Sequence, residues 1–369
     1  MRIDRLWLTD YRSFPQADLS PAPDGLTVLV GANGQGKTNL LEAMGYLATL
    51  SSFRGSPREA LVREGTDRAV VRAEATRAGR ALLVEAELPV RGRDRVLVNR
   101  QPLRRSRDLL GALQVTVFSP DDLALVKGGP AERRRFLDDA LVAVRPSLDP
   151  LRSDVERILR QRGALLKQAG GRATADVETT LDVWDAQLAR AGGSLVAHRE
   201  SLLARLAPEV AKAYAALGGG ADGPTLAYVA SWTGDLGRAL AGARASDLRR
   251  GVTTLGPHRD DVAIGLGSLP SRTHGSQGEQ RSLALALRLA THALVAEESG
   301  EAPVLLLDDV FSELDEGRSI SLLANLPPGQ AILSTTGPLP AGAEVKLVAE
   351  VTSGRVVGSS GPSPVHRAQ

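Results

Sequence analysis

The chain has 369 residues, of which 43% are hydrophobic, 45 basic and 43 acidic, with a formal net charge of +2 and no cysteine. That length allows two or three domains and a large core, and the hydrophobic share excludes a disordered chain. No run approaches the ~20 apolar residues of a membrane span, and lack of cysteine excludes disulfides, thiolate metal sites and a cysteine zinc hook. The first residues, MRIDRLWLTDYRSF, alternate like a strand and lack the apolar stretch of a signal peptide, so a cytoplasmic protein is expected. Only about five basic residues are Lys. Arg suits bidentate phosphate contacts, although a GC-rich genome also produces an Ala-, Gly- and Arg-rich chain.

Residues 26–30, LTVLV, form a short β-type run. Gly31, Ala32, Asn33, Gly34, Gln35, Gly36, Lys37 and Thr38 follow and fit G-x-x-x-x-G-K-[ST], and residues 39–50 then carry apolar positions at helical spacing. This strand–loop–helix order is the context of a phosphate-binding P-loop, or Walker A motif. Glycines let backbone N–H groups turn toward phosphate oxygens, and the helix adds the positive end of its dipole. Lys37 would reach the β- and γ-phosphates of ATP, and the Thr38 hydroxyl would ligate Mg²⁺.

Residues 1–100 otherwise read as strands, with a hairpin turning near Ala78 and Gly79 and another turn near Asn99 and Arg100. From about 131 to 250 the apolar spacing is helical, with Gly-rich breaks at 170–171 and 218–223, and LAYVASW is a candidate short strand. After GVTTLGPHRDDVAIGL, helix and strand alternate to the end. The pattern predicts an α/β lobe from residues 1–118 and 251–358, a mainly helical insertion over 119–250, and a flexible tail over 359–369. The insertion is needed because PVLLLDDV supplies the partner strand of the P-loop about 270 residues later. Its apolar run ends in Asp308 and Asp309, a Walker B pattern. Asp308 would hold Mg²⁺ through water, and Asp309 would orient or deprotonate the attacking water.

About 28 residues before that strand stands SQGEQR, which opens a long apolar helix. Ser276 and Glu279 alone make a capping box. In this position Ser276, Gln277, Gly278 and Glu279 resemble the LSGGQ-type signature of ABC ATPases, with Gln277 in place of the first Gly. Ser312 to Asp315, SELD, resembles the D-loop that follows Walker B in that class, with Asp315 near the dimer seam. AILSTT ends a strand where the class often places a switch His, and Thr335 would there sense the γ-phosphate without acting as an imidazole. Gln114 lies near the expected lobe junction, where a Q-loop belongs.

GANGQGKTNLLEA, VFSPDDLALVKGGPAERRRFLD, LGPHRDD, SQGEQRSLALAL and LLLDDVFSELD together resemble the RecF family of SMC-like ABC ATPases over residues 1 to about 340. The resemblance implies a mixed sheet with parallel Walker A and Walker B strands, ATP and Mg²⁺ as ligands, and slow hydrolysis. It also implies ATP-dependent homodimerisation on duplex and gapped DNA, with the signature closing the other protomer's site. RecR, RecO and RecA loading are the implied partners, with no membrane. An early Arg in such heads approaches the nucleotide, which points to Arg12.

For DNA contact, Arg104, Arg105 and Arg107 leave a strand on a polar turn and make a phosphate patch, while Arg133, Arg134 and Arg135 splay around a helix and are expected to face solvent. Few aromatics favour duplex backbone contact over base stacking. GPHRDD reads as a polar network at a strand end. An ATP-driven transporter subunit and a P-loop kinase are the alternatives in other classes.

Overall fold

The computed structural model describes residues 1–220 and 222–360, so the expected tail lies outside the described residues from 361 onward. The chain divides into two compact units. The first comprises the described residues of Met1–Leu123, Lys212–Ala221 and Ser276–Gln369, and the second comprises Ala124–Ala211 and Asp222–Gly275.

The first unit opens with β1 (Arg2–Tyr11), β2 (Phe14–Leu19) and β3 (Gly25–Val30), then helix α1 (Lys37–Thr49). β4 (Arg68–Arg77) and β5 (Arg80–Pro89) form the hairpin that turns at Ala78 and Gly79, followed by β6 (Arg95–Val98), β7 (Gln101–Pro102) and β8 (Val115–Phe118). Helix α2 (Leu123–Lys127) carries the chain into the second unit, which holds α3 (Pro130–Val144), α4 (Asp149–Ala169) and most of α5 (Ala175–Ala216). β9 (Pro224–Val229), α6 (Leu236–Arg250), β10 (Asp261–Leu266), β11 (Leu269–Pro270) and α7 (Ser271–His274) complete it. Back in the first unit come α8 (Gln277–Ser299), β12 (Val304–Asp308), α9 (Val310–Glu313), α10 (Glu316–Ala324), β13 (Gln330–Thr335), β14 (Val345–Thr352) and β15 (Arg355–Ser360).

Two sheets build the first unit. One runs β2-β1-β4-β5-β6-β7 and is antiparallel throughout. The other runs β15-β14-β3-β13-β12-β8, and all but β15 are parallel. Strands β12 and β13 are buried along their whole length, as parallel strands covered on both faces must be. Helix α1 packs against strands of both sheets, and ten of its residues are buried. Leu40, Leu41, Met44 and Leu47 share one core with Leu6 and Leu8 of the antiparallel sheet and Leu306 and Ile332 of the parallel one. Gln330 stitches the same two layers: its amide donates to the carbonyls of Ile3 (2.8 Å) and Ala22 (2.7 Å), and its oxygen accepts from Ile3 N (2.8 Å).

In the second unit, β9 is the strand expected at LAYVASW, and it pairs with β10. The expectation of solvated arginines on α3 holds only for Arg135. Arg133 is buried and makes a double hydrogen bond with Asp261 (2.8 and 2.9 Å), and Arg134 donates to the Asp260 carbonyl (2.6 Å). The splay around the helix was sound, but two of its directions face β10 rather than water. Asp260 accepts from Tyr228 Oη (2.6 Å) and Ser231 N (2.8 Å), so GPHRDD is a polar network at the strand start. Burial pushes the His258 pKa down to about 4.

Arg162 of α4 is fully buried and donates to Asp185 of α5 (2.7 Å), Asp247 of α6 (2.7 Å) and Thr253 (2.8 Å). Removing the cation leaves the buried Asp247 carboxylate with only the Thr254 donors and Asp185 with Arg244 alone, which costs far more than breaking an exposed pair. Arg162→Leu should therefore lower the unfolding free energy of this unit by about 3–5 kcal/mol. Urea denaturation followed by far-UV circular dichroism measures it, and a loss below about 1 kcal/mol, the range of a surface pair, would contradict the account.

Candidate nucleotide site

β3 lies between β13 and β14, and the P-loop leaves it at the C-terminal end of the parallel strands. That end is where open α/β sheets collect ligands. Gly36 is the N-cap of α1 at φ 110°, with no side-chain cap, so the first N–H groups of the helix have no side-chain acceptor. A Cβ on Gly36 would sit 2.8 Å from the Phe14 ring, and one on Gly31 would run into the Val351 carbonyl. Ala32, Asn33 and Gly34 are exposed at the mouth of the loop. Gln35 braces it from behind, accepting Gly354 N on its backbone carbonyl (3.3 Å) and Ser353 N on its side chain. Lys37 folds over the loop and donates to the carbonyls of Gly31 (2.6 Å) and Ala32 (2.9 Å). Burial lowers its pKa, against the opposing pull of Asp309 and Asp308.

Asp308 ends β12 beside the start of α1. The hydroxyls of Thr38 (2.8 Å) and Ser334 (2.7 Å) both donate to its Oδ1. Among the described residues none donates a hydrogen bond to its Oδ2. Burial raises the Asp308 pKa above the usual carboxylate range, the two hydroxyls oppose that, and Asp309 adds to it. Thr38 and Asp308 thus offer adjacent oxygens of the kind a hard divalent cation takes, and the uncapped helix start with Lys37 offers donors for phosphate. The residues present fit Mg²⁺ and a nucleoside triphosphate.

Asp309 caps α9 with left-handed backbone angles, φ 46° and ψ 36°, and its N–H donates to Ser334 Oγ (3.0 Å). A non-Gly residue held there costs of order 1–3 kcal/mol and is a mark of functional sites. Ser334 is the residue that the sequence reading passed over. It faces Asp308 in the β12–β13 register, whereas the neighbouring Thr335 exchanges hydrogen bonds with Gly337 and does not touch Asp308. The register of two parallel strands, invisible in one sequence, decides between adjacent hydroxyls.

Arg12 is spent on the protein itself: its guanidinium bonds both oxygens of the buried Glu42 (2.7 Å each), Ser56 Oγ (2.6 Å) and the Ala60 carbonyl (2.9 Å). Arg54, unremarked in the sequence, lowers the pKa of Asp308 and so stands within electrostatic reach of it. Gln114 is misplaced for a Q-loop. It precedes β8, whose Val115 pairs with Val304 at the start of β12, so it sits at the end of the sheet away from the P-loop. Four residues of strand separate it from that end, about 13 Å.

Ser276 and Glu279 form the expected capping box at the start of α8: Ser276 Oγ accepts from Glu279 N (3.3 Å) and Glu279 from Ser276 N (2.8 Å). Gln277 and Gly278 fill the first turn. A Cβ on Gly278 would meet the end of the Arg318 side chain, which lies beside this turn. Asp315 caps α10 through Arg318 N (2.9 Å) and pairs with the Arg318 side chain (3.4 Å). Arg281 pairs with Glu313 (2.6 Å), which joins the signature helix to the D-loop segment. Among the described residues no hydrogen bond or ion pair links 276–279 to 31–38. Arg104, Arg105 and Arg107 are exposed beyond β7.

The family model described as RecF/RecN/SMC N terminal domain matches residues 2–329. "DNA replication and repair protein RecF" of Frankia alni is 44% identical over 379 residues, covering 98% of each chain, and that of Streptomyces avermitilis is 46% identical over 351, covering 91% of this chain and 93% of its own. The chain belongs to the RecF family. A solved structure of the recombination mediator RecF with ATP, in the RecFOR pathway, superposes on this RecF-family chain with TM-score 0.88 at 27% identity, covering 98% of both chains. A second RecF structure, RecF-ATPrS, gives 0.87 at 28%, covering 96% of this chain and 97% of its own. The Smc head of Pyrococcus furiosus shares the fold alone, with TM-score 0.56 at 16% identity over 98% and 97% of the two chains. The fold is that of an ABC-type ATPase head, as expected, and the kinase and transporter alternatives fall away with the family.

Because Asp308 has a raised pKa, the folded state without ligand holds its proton more tightly than the unfolded state does. Its ionised form therefore weakens the fold, fully so above the raised pKa and not at all below the ordinary carboxylate value. Asn can accept both hydroxyls on one oxygen, as Asp308 does. Asp308→Asn should raise the ligand-free melting temperature at pH 7–8, the gain shrinking as pH falls toward the ordinary carboxylate pKa of about 4. It should also abolish the further stabilisation that Mg²⁺ with ATP gives the wild type. Thermal melts across pH, with and without Mg-ATP, read both effects.

Proposed function

We propose that the chain is an ATP-gated DNA-binding switch of recombinational repair. The observation that supports this most is the Thr38–Asp308 hydrogen bond (2.8 Å), which joins the Walker A and Walker B residues across 270 positions at the uncapped start of α1. Relatives described as DNA replication and repair proteins and the RecF structure with ATP support the same reading.

Gly31, Gly34 and Gly36 cradle phosphate with their backbone N–H groups, Ala32, Asn33 and Gln35 complete the loop, and Lys37 swings from its two carbonyls onto the phosphates. Thr38 and Asp308 hold Mg²⁺, which when bound neutralises phosphate charge. Asp309, at the end of the Walker B strand, orients the attacking water. Arg12, through Glu42, steadies the wall of the site. Thr335 stands where a switch imidazole would, so the ATPase is weak and serves as a timer for release.

We read the lobes of this switch as residues 1–118 with 251–358 and the mainly helical 119–250, bounds that differ from the two compact units chiefly over 251–275, which belong to the second unit. Helix α8 has 23 residues, about 34 Å at the usual rise. That far exceeds the roughly 16 Å of the five-residue β12 that follows it. The chain turns straight from α8 into β12, so the start of the helix extends past the P-loop end of the sheet. Ser276, Gln277, Gly278 and Glu279 accordingly close the ATP of a second protomer, with Asp315 at the seam. The closed homodimer holds duplex or gapped DNA through Arg104, Arg105 and Arg107, acts in the cytoplasm with RecR and RecO, and promotes RecA loading. ATP-dependent dimerisation of the purified protein on duplex DNA tests the reading, and ATP binding without dimers would refute it.

Composite sites have a sharper signature. Ser276→Arg blocks closure by bulk, and Asp309→Asn blocks hydrolysis. In a mixed dimer one site carries both defects and the other carries neither, so random pairing leaves about a quarter of sites intact. The mixture should hydrolyse ATP well above the sum of the separate mutants. If mixed dimers form and the rate does not rise, closure in trans with independent sites is wrong.

A further inference from the structure

Among the described residues of the first unit, a cluster of guanidinium groups makes no ion pair. Arg91 and Arg93 lie in the turn between β5 and β6, and Arg95 opens β6. The chain returns antiparallel: Leu103 N donates to the Val96 carbonyl (2.9 Å), which sets Arg104 beside Arg95 and Arg105 toward the same turn. All five side chains are exposed, and none makes a hydrogen bond or ion pair with a described residue. The two acids closest in the register and in the turn are already taken. Glu87, across from Arg95 in the register, pairs with Arg68 (2.8 Å). Asp94 accepts from Arg58 (2.9 Å) and from Tyr46 Oη (3.2 Å).

The position of the cluster follows from strand register. Arg68 pairs with Pro89, and Thr9 with Val70, so the arginine turn shares its end of the antiparallel sheet with the β1–β2 turn. That turn meets the P-loop: Ser13 Oγ accepts from Asn39 Nδ2 (3.0 Å), and Phe14 packs on Gly36. Tyr46 belongs to α1, the helix that begins in the P-loop, so Asp94 ties the arginine turn to that helix.

We infer that Arg91, Arg93, Arg95, Arg104 and Arg105 form a cradle for the phosphate backbone of duplex DNA, tied to α1 by Asp94. Unpaired guanidinium groups crowded on a short rigid ribbon keep their charge free for phosphates, and Arg binds them in bidentate fashion. None of the exposed large hydrophobic residues lies within 91–105, so the ribbon lacks the apolar face that a membrane surface would need. The inference rests on the DNA-binding reading above and extends it from three arginines after β7 to a surface at the nucleotide end of the sheet.

The test compares wild type with a quadruple variant, Arg91→Gln, Arg93→Gln, Arg104→Gln and Arg105→Gln. Each protein is titrated with duplexes of unrelated sequence at several salt concentrations, and with vesicles containing phosphatidylserine. ATP affinity and melting temperature serve as controls for folding. Loss of four phosphate contacts should make the log–log salt slope shallower by about 3 to 4 and weaken duplex binding about a hundredfold near 0.1 M salt. Unchanged slope and affinity in a wild type that does bind duplex would overturn the cradle and leave the switch standing. A wild type that binds no duplex would overturn the switch itself. Loss of vesicle binding with duplex binding intact would also overturn the cradle. Asp94→Ala separates anchoring from charge. It adds one net positive charge, so electrostatics alone predicts tighter DNA binding, whereas loss of the anchor predicts binding several-fold weaker. Tighter binding would overturn the role of Asp94.

Discussion

The carboxylate of Asp308 is the constraint around which the first unit is arranged. An ionised group at the end of a buried apolar strand needs donors, and two hydroxyls from separate elements, Thr38 and Ser334, supply them on a single oxygen. To bring those hydroxyls there, β12 must lie beside β13, β13 beside β3, and the first turn of α1 must face the same strand ends. The parallel order of the sheet and the burial of α1 between two layers follow from this meeting. The donors do not fully offset the burial, which leaves the group poised to gain from a cation.

A second linkage runs beside the first. Asp309 bonds Ser334 through its N–H, and the chain then passes to Glu313 and Asp315, which hold Arg281 and Arg318. These arginines reach the first turn of α8 from both sides, one on the helix itself and one lying over Gly278. The end of β12 and the start of α8 are thus connected through Ser334, Glu313 and Arg281. With sub-ångström tolerance for catalytic positioning, such bracing matters more than its modest contribution to stability.

Much of this was readable in one sequence, and the limits have a physical pattern. Motifs whose chemistry is local came through: the P-loop glycines, the apolar strand ending in two Asp, the capping box of Ser276 and Glu279. What failed to come through depends on register and on partners distant in the chain. Ser334 and Thr335 are equivalent as letters, and only the pairing of β13 with β12 separates them. Gln114 has the right residue type at the wrong end of a four-residue strand. Arg133 and Arg134 looked like a solvated run because the acids and carbonyls that face them lie about 127 residues later. Gly278 was legible as a signature position, but the Arg318 side chain beside it comes 40 residues later.

The position of β3 in its sheet has a consequence for how the chain comes to exist. Its two neighbours, β13 and β14, are encoded some 300 residues downstream, and the hairpin turn that braces Gln35 comes at Ser353 and Gly354. During synthesis the apolar segment 26–30 leaves the ribosome long before either neighbour is made. At typical translation rates of about 5–20 residues per second the interval is roughly 15 to 60 seconds. Throughout that time the antiparallel strands β1, β2, β4 and β5, whose contacts are local, are free to fold, while the segment that will carry the P-loop waits as exposed, strand-prone chain. The oldest part of the nucleotide pocket by order of synthesis is thus the last to be finished. The nascent protein in that window is a natural client for chaperones rather than for ATP.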